Sequence, residues 1–200
     1  MTNEEILSIF KSTGALLEGH FKLSSGLHSA QYFQCAKVLQ YPEYNEALCK
    51  IIVEKFSNHK IDVVAAPALG GIVVAQEIGR QLNARTIFAE RTEGNMQFRR
   101  GFQIFEGENV LVCEDVITTG GSIVEVIELV KSMKGNVAGA ASIVDRSGGK
   151  VKLDAPFQFS ILTLEIENYQ PENCPLCKEN IPLVKPGSRV TSTEDRNVRK

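Results

Sequence analysis

Residues 110–122 read VLVCEDVITTGGS, and this stretch decides the fold. Its apolar run ends in two adjacent carboxylates, Glu114 and Asp115, before a turn of Thr, Gly and Ser. Such a run is typical of a strand buried on both faces of a parallel sheet. The small and hydroxylated residues after it are typical of a turn that enters a helix. The stretch therefore predicts one strand–turn–helix unit of an α/β sheet.

The same unit recurs along most of the chain. Buried strands are predicted over 61–68, 84–90, 109–116, 136–146 and 157–166, and helices over 42–58, 72–82 and 122–134. Helices between apolar strands cover both faces of a parallel sheet. The pattern thus predicts a doubly wound, mostly parallel α/β sheet with its ligand site at the carboxyl ends of the strands.

The two ends of the chain lack this alternation. A short amphipathic helix and a Gly- and Ser-dense stretch over 14–34 predict a small N-terminal hood. We therefore expect three parts: helix and hood over 1–40, an α/β core over 41–187, and a tail over 188–200. The tail has no apolar pattern and is expected to be disordered.

Composition excludes two classes of partner. The formal net charge is −2 over 200 residues, so no global basic field attracts nucleic acid or an anionic membrane. No segment approaches the roughly 18 apolar residues of a membrane span, and the acidic start of the chain is unlike a secretory signal. We expect no nucleic-acid partner, no membrane partner and a cytoplasmic location. The odd number of cysteines, five, favours reduced thiols.

The turn after residue 117 has the chemistry of a phosphate site. Backbone N–H groups at a helix N-terminus cradle a phosphate dianion, and hydroxyl groups add donors. The preceding carboxylates can accept hydrogen bonds from vicinal hydroxyls, so the stretch suits a 5-phosphorylated ribose. The triphosphate and dinucleotide fingerprints are absent, and an acidic strand end before an ordinary Gly turn is the alternative. The candidate phosphate ligands are Thr118, Thr119, Gly120, Gly121 and Ser122.

All thirteen residues of 110–122 resemble the signature of type I phosphoribosyltransferases that binds phosphoribosyl diphosphate (PRPP). The resemblance implies that Glu114 and Asp115 hold the ribose 2- and 3-hydroxyls and that residues 118–122 bind the 5-phosphate. It also implies Mg²⁺ as cofactor, held mainly through PRPP and not by a dedicated set of protein ligands.

A second loop, AAPALGG over 65–71, follows another buried strand. Small residues leave its backbone open to an anion, although such loops are common in α/β proteins. The resemblance implies that this loop binds the diphosphate of PRPP through Ala68, Leu69, Gly70 and Gly71.

Residues 90–102, ERTEGNMQFRRGF, lie between two predicted strands and carry three arginines, Arg91, Arg99 and Arg100. A mobile cationic loop could stabilise a departing diphosphate; a solvated hairpin with incidental arginines is the alternative. Resemblance to orotate phosphoribosyltransferases implies a homodimer in which loop 91–101 reaches the neighbouring site. The loop has no Lys or His, so it suggests no proton donor. We predict the three arginines and Asp115 as catalytic residues.

Residues 20–34 begin HFKLSSGLHSAQYF and resemble the hood that covers the base in orotate phosphoribosyltransferases. Many members have Lys at Ser24 and Arg at Leu27. An Arg that follows an Asp, as in IVDRSGG over 143–149, meets the orotate carboxylate in that family, and guanidinium suits a carboxylate. A small aromatic core and a surface Arg are the alternatives. The resemblance implies orotate contacts from Ser24, Tyr32, Phe33, Thr118 and Arg146.

Cys174 and Cys177 form one CxxC pair, which is half of a zinc ribbon. No second pair or neighbouring His completes it. Zinc shared across a dimer, a redox pair and two unremarkable thiols stay open, and the pattern favours no metal.

Together these features predict transfer of 5-phosphoribosyl from PRPP to orotate, which gives orotidine 5-phosphate and diphosphate in de novo pyrimidine synthesis. A transferase for another nucleobase would keep residues 110–122 and change the hood. A PRPP-binding regulator is the remaining alternative, and the chain shows no basic stripe for nucleic acid.

Overall fold

The computed structural model describes residues 1–23 and 25–186. Ser24 and the predicted tail over 188–200 lie outside the described residues. In chain order the elements are α1 (Asn3–Ser12), β1 (Leu16–Lys22), β2 (His28–Phe33), α2 (Ala36–Leu39), α3 (Pro42–Lys55), β3 (Val63–Pro67), α4 (Gly70–Leu82), β4 (Arg85–Thr92), β5 (Asn95–Phe98), β6 (Asn109–Ile117), α5 (Gly121–Ser132), β7 (Asn136–Asp145), β8 (Gln158–Thr163), β9 (Asn168–Tyr169), a 3-10 turn (Pro171–Asn173), α6 (Pro175–Lys178) and β10 (Leu183–Val184).

The chain divides into two compact units. The larger unit contains Met1–Leu16 and Phe33–Glu165, and the smaller contains Leu17–Tyr32 with the chain from Ile166 onward. The sequence analysis divided the chain after residues 40 and 187. The structure instead groups the N-terminal helix with the larger unit, because its apolar residues Ile6 and Phe10 are buried there.

The larger unit is built on a six-stranded sheet of order β5-β4-β3-β6-β7-β8. All neighbouring pairs are parallel except β4 and β5, which form an antiparallel hairpin. The predicted α/β class with a mostly parallel sheet is confirmed.

Alternation along the central strand explains why both faces of this sheet are covered. All five residues of β3 are buried. Val63 and Ala65 join a core cluster that includes the apolar face of α5 (Ile123, Val126, Ile127 and Val130). Ala66 points to the opposite face, where α4 begins. The sheet therefore directs the carboxyl ends of β3 and β6 toward the N-termini of α4 and α5.

The smaller unit contains a four-stranded sheet of order β10-β1-β2-β9. Strand β1 pairs with β10 in parallel, and β2 pairs with β9 antiparallel. Strands β9 and β10 have two residues each, which is too short for a hydrophobic periodicity in the sequence to predict them. The C-terminal segment thereby joins the predicted hood.

Among the described residues, no helix has the length and apolar character that crossing a membrane requires.

Candidate active site

The first of the two strand-to-helix loops, residues 68–71, lies against the two carboxylates near the end of β6. A Cβ atom built on Gly71 would lie 3.1 Å from Oε1 of Glu114 and 3.0 Å from the Cβ of Ala66. A Cβ atom built on Gly70 would lie even closer to the carboxylate oxygens of Asp115. Glycine at both positions therefore leaves the room that the two carboxylates occupy, and residues 68–71 and 114–115 form one site.

Each of these loops ends at the N-terminus of a long helix. The N–H of Ala68 donates to the carbonyl of Ala89 at 2.8 Å, which ties the first loop to β4. Leu69 is 82% exposed at its tip. Helix α4 starts directly afterwards at Gly70 and α5 at Gly121. The site thus holds two positive helix ends, a favourable arrangement for a ligand with phosphates at both ends.

Gly120 fixes the turn into α5. Its φ of 78° lies in the left-handed region, and a Cβ there would lie 2.6 Å from Cγ1 of Val151. Both facts require glycine. The residues around it, Thr118, Thr119, Gly121 and Ser122, are exposed, so their N–H and hydroxyl groups are accessible to an anion.

The two carboxylates differ in their surroundings. Glu114 is 9% exposed, and the N–H of Asp115 donates to its Oε1 at 3.1 Å. Burial, and next the charge of Asp115, raises the pKa of Glu114 to about 9. Glu114 therefore holds a proton at neutral pH in the protein without ligand. The pair carries less negative charge than its composition suggests, which lowers its repulsion of a polyanion.

Arg146 lies at the same edge of the sheet. It is buried, with 8% of its surface exposed, and its backbone N–H donates to the backbone carbonyl of Ile117 at 2.9 Å. Burial and the charges of Asp115 and Glu114 raise the pKa of the Cys35 thiol, whereas Arg146 lowers it. Asp115, Glu114 and Arg146 thus all lie close enough to this thiol to affect its pKa. The surface position considered as an alternative for Arg146 is wrong.

Asp145 positions the turn that carries Arg146, a role the sequence analysis missed. It is 2% exposed and accepts the N–H groups of Ser147 at 2.7 Å and Gly149 at 3.1 Å. The signal in the sequence was an acidic residue at a strand end before Ser-Gly-Gly, a pattern suited to an Asx turn.

Residues 37–175, which include both loops and Arg146, match the family model described as Phosphoribosyl transferase domain. The chain belongs to the phosphoribosyltransferase family. An orotate phosphoribosyltransferase of Chlorobaculum parvum is 63% identical over 189 residues, covering 94% of this chain and 97% of that protein. An orotate phosphoribosyltransferase of Thermoanaerobacter sp. is 59% identical over the same share of this chain and 99% of its own.

Solved structures agree with this phosphoribosyltransferase in fold. Orotate phosphoribosyltransferase from Aeropyrum pernix has a TM-score of 0.64 at 24% identity, covering 90% of this chain and 91% of its own. The Mycobacterium tuberculosis H37Rv orotate phosphoribosyltransferase in complex with inorganic phosphate has a TM-score of 0.63 at 22% identity, covering 79% and 93%. The fold implied by the resemblance of residues 110–122 is confirmed.

Of the three loop arginines of this phosphoribosyltransferase, Arg91 lies in a β-hairpin formed by β4 and β5, and Arg99 and Arg100 directly follow β5. Glu93 and Gly94 form its two-residue turn with φ of 52° and 86°. Two positive φ values are typical of a type I′ turn, where Asn-Gly is the usual pair. The sequence analysis offered a hairpin here only as the alternative, because Glu at the first turn position is unlike the usual Asn-Gly signal.

These arginines contact carboxylates and polar groups of the chain itself. Arg91 pairs with Glu125 at 2.8 Å, and Arg100 pairs with Glu90 at 2.8 Å. A guanidinium nitrogen of Arg99 lies 3.4 Å from the hydroxyl of Thr92. All three arginines are exposed, and exposed ion pairs are weak in water. They can therefore exchange these partners for a more strongly charged anion.

The two aromatic residues predicted to contact the base lie in different units. Phe33 is 5% exposed and packs against Phe10 with ring centroids 5.9 Å apart. It is a packing residue of the larger unit, as the alternative interpretation of the aromatics expected. Tyr32 is half-buried beside Phe21, with centroids 5.8 Å apart.

Proposed function

We propose that this phosphoribosyltransferase transfers the 5-phosphoribosyl group of PRPP to orotate, giving orotidine 5-phosphate and diphosphate. The observation that carries the proposal is the contact between the N-terminus of α4 and the Glu114–Asp115 pair of β6, the strand that leads into the N-terminus of α5. The choice of orotate is supported by relatives of that name at 63% and 59% identity over nearly the whole chain. The step belongs to de novo pyrimidine synthesis.

The turn over 118–122 binds the 5-phosphate. Its exposed N–H and hydroxyl groups converge at the start of α5, where the helix dipole adds to the attraction. Gly120 keeps the turn in its left-handed conformation. The loop over 68–71 binds the diphosphate at the start of α4, so the phosphate groups of PRPP are held from two sides.

Glu114 and Asp115 bind the ribose between these loops. Asp115 accepts hydrogen bonds from the ribose hydroxyls, and protonated Glu114 can donate one as well as accept. Carboxylate and hydroxyl oxygens are ligands suited to Mg²⁺. Glu114 and Asp115 would hold the ion through the ribose hydroxyls, and PRPP would supply most of its other ligands. When bound, Mg²⁺ neutralises charge on the diphosphate leaving group.

The reaction is a displacement at C1 of the ribose. The bond from C1 to the diphosphate oxygen breaks as positive character develops at C1, and the orotate ring nitrogen forms the new bond from the opposite face. The fairly acidic proton of that nitrogen is released to water, so the step needs no strong base. Arg91, Arg99 and Arg100 stabilise the charge that grows on the diphosphate. Arg146 binds the orotate carboxylate as a guanidinium–carboxylate pair. Ser24 and Tyr32 stay predicted base contacts on the strength of the resemblance.

We further propose a homodimer in which the hairpin over 91–101 serves the site of the partner subunit. A cytoplasmic location is proposed on the five free thiols, which suit a reducing compartment.

An ultraviolet assay tests the proposed reaction. Purified protein is mixed with PRPP, Mg²⁺ and orotate, beside reactions with uracil, adenine and hypoxanthine. Loss of orotate absorbance that requires both PRPP and Mg²⁺ is the expected result. Turnover of another base alone would reject the orotate assignment and keep the PRPP site. Tight PRPP binding without turnover of any base would favour a regulator.

A further inference from the structure

A compact cluster of metal-ligating side chains lies in the smaller unit. His20 is on β1, His28 begins β2, and Cys174 and Cys177 flank the start of α6. The candidate ligand atoms of all four side chains lie within 4.8 Å of one another. No His lies near Cys174 and Cys177 in the sequence. The fold instead brings His20 and His28 to this pair from about 150 residues away.

The contacts within the cluster do not form a satisfied hydrogen-bond network. Nδ1 of His20 lies 2.8 Å from the carbonyl oxygen of Ile181, which can only accept, so this nitrogen carries the ring proton. Nε2 of His20 then has a single lone pair. Three potential donors approach it, namely Nδ1 of His28 at 2.9 Å and the Sγ atoms of Cys174 at 3.5 Å and Cys177 at 3.7 Å.

Convergence of lone pairs on a common centre is instead the geometry of a metal site. Zinc bonds of about 2.0 Å to nitrogen and 2.3 Å to sulfur place tetrahedral ligands roughly 3.3–3.8 Å apart. Sγ of Cys177 lies 3.3 Å from Nδ1 of His28, and the sulfur contacts to Nε2 of His20, at 3.5 and 3.7 Å, fall in the same range. The nitrogen pair is slightly closer and would separate by a few tenths of an ångström around an ion.

The surroundings favour a metal over a plain polar cluster. His20 is 2% exposed, His28 4% and Cys174 0%. Among the described residues of this unit, Phe21 is the only other apolar side chain that is buried. The centre of the unit is therefore a His/Cys cluster and not a hydrophobic core. Small units that bury little apolar surface are commonly held together by a metal or by disulfides, and all five cysteines here are free thiols.

We propose that His20, His28, Cys174 and Cys177 bind one structural Zn²⁺ that fastens the C-terminal segment to the β1–β2 hairpin. Two thiolates and two neutral imidazoles balance the charge of the ion. Four protein ligands close the coordination shell, which is typical of a structural and not a catalytic zinc. The carbonyl of Ile181 orients His20 from outside the shell. Cys177, the exposed member, offers the ion a route in. The proposal is independent of the reaction proposed above.

Metal analysis of the whole protein, purified without chelators, is the first test. We expect about one zinc per chain, bound tightly enough to survive desalting. Cys174→Ser and His28→Asn should each lower the zinc content at least tenfold. Cys49→Ser and His59→Asn, which alter a thiol and an imidazole outside the cluster, should keep it. Zinc-free wild-type protein after growth and refolding with added Zn²⁺ would overturn the proposal, as would full zinc retention in the cluster variants.

Cobalt supplies a readout that needs no variant to fold. Co²⁺ added to the metal-depleted wild-type chain should give visible ligand-field bands of tetrahedral geometry together with thiolate charge-transfer bands. One equivalent of Zn²⁺ should abolish both. An octahedral spectrum without thiolate bands, or a mass deficit of two hydrogens that shows a Cys174–Cys177 disulfide in the reduced preparation, would refute the site.

Discussion

A Cβ atom built on Gly70 would lie 2.3 Å from Oδ2 and 2.6 Å from Oδ1 of Asp115. Gly70 opens α4 after the first loop, and Asp115 belongs to β6 before the second. The absence of a side chain at residue 70 therefore sets how closely loop 68–71 and the carboxylate of Asp115 approach. Any larger residue must displace the carboxylate or the loop.

Replacement of Gly70 by Ala tests this relationship. The added methyl should push the Asp115 carboxylate out of position and lower kcat/KM for PRPP at least about tenfold, because misplaced ligand-binding groups are costly in catalysis. Steady-state kinetics at saturating orotate measures the effect. Val73→Ala, at an exposed position on the same helix, is the control and should match the wild type. Unchanged kinetics in Gly70→Ala would refute the close packing of the two loops.

Glu114 gives the ligand-free protein a distinctive pH dependence. Its folded pKa is raised to about 9 by burial and by Asp115, whereas an unfolded glutamate titrates near 4.3. Between these values the folded state holds more protons than the unfolded state, so the free energy of unfolding falls as pH rises. Glu114→Gln removes the ionisable group and therefore this loss of unfolding free energy. Between pH 5 and pH 8 the wild-type Tm should fall by on the order of 5 °C more than that of the variant.

Thermal unfolding in steps of pH, without PRPP, measures this difference. Glu77→Gln is the matched control because hydrogen bonding from Arg80 lowers the pKa of Glu77. That carboxylate contributes stability above its unfolded pKa and loses it only as pH falls further. Its removal should leave the slope between pH 5 and pH 8 as in the wild type. Parallel slopes for wild type and Glu114→Gln would show that Glu114 is not protonated.

Five of the six strands of the larger sheet were predictable because each carries its own apolar signal, whereas β5 (Asn95–Phe98) was not predicted as a strand. Strand β3 is apolar at every position, and the turn at 118–122 has an unusual residue set, so both could be placed without distant information. Their meeting was predictable only in outline. Parallel strands bring their carboxyl ends to one edge, but nothing local says that Gly70 faces Asp115.

Long-range pairings explain what the sequence analysis missed. Cys174 lies 154 residues from His20, and two-residue strands such as β10 have no detectable period. The resemblance to the family's hood assigned Phe33 to the base together with Tyr32, yet Phe33 packs on Phe10. Neighbours along a strand point to opposite sides, so adjacent aromatics seldom share one task.

Arg146→Lys should separate the two substrates of the reaction. Lysine keeps the charge at this buried position but loses the planar pair of donors that matches a carboxylate. The KM for orotate should rise about tenfold or more, while the KM for PRPP changes less than about threefold. Arg146→Ala should act in the same direction and more strongly. Initial rates with each substrate varied in turn measure both constants, and an equal rise in both would reject contact with orotate.

Hybrid dimers test whether the hairpin over 91–101 acts on the partner subunit. One chain carries Asp115→Asn and the other Arg99→Ala with Arg100→Ala, each with its own affinity tag. Each variant alone should lose most of its turnover with its fold intact. In a doubly tagged hybrid, the chain with Asp115 intact would be served by the unaltered hairpin of the Asp115→Asn chain. One of the two equivalent sites would then be complete, so the hybrid should recover about half of the wild-type activity per dimer.

If the hairpin serves its own chain, the same hybrids will contradict the proposal. Each site would then lack either Asp115 or the two arginines, and activity would stay at the level of the parent variants. A hybrid of Asp115→Asn with an unaltered chain is the control for tagging and should also show about half activity, because one of its two equivalent sites is intact. Gel filtration of the wild type at assay concentration completes the test, since a monomer that turns over at full rate would exclude any exchange of hairpins.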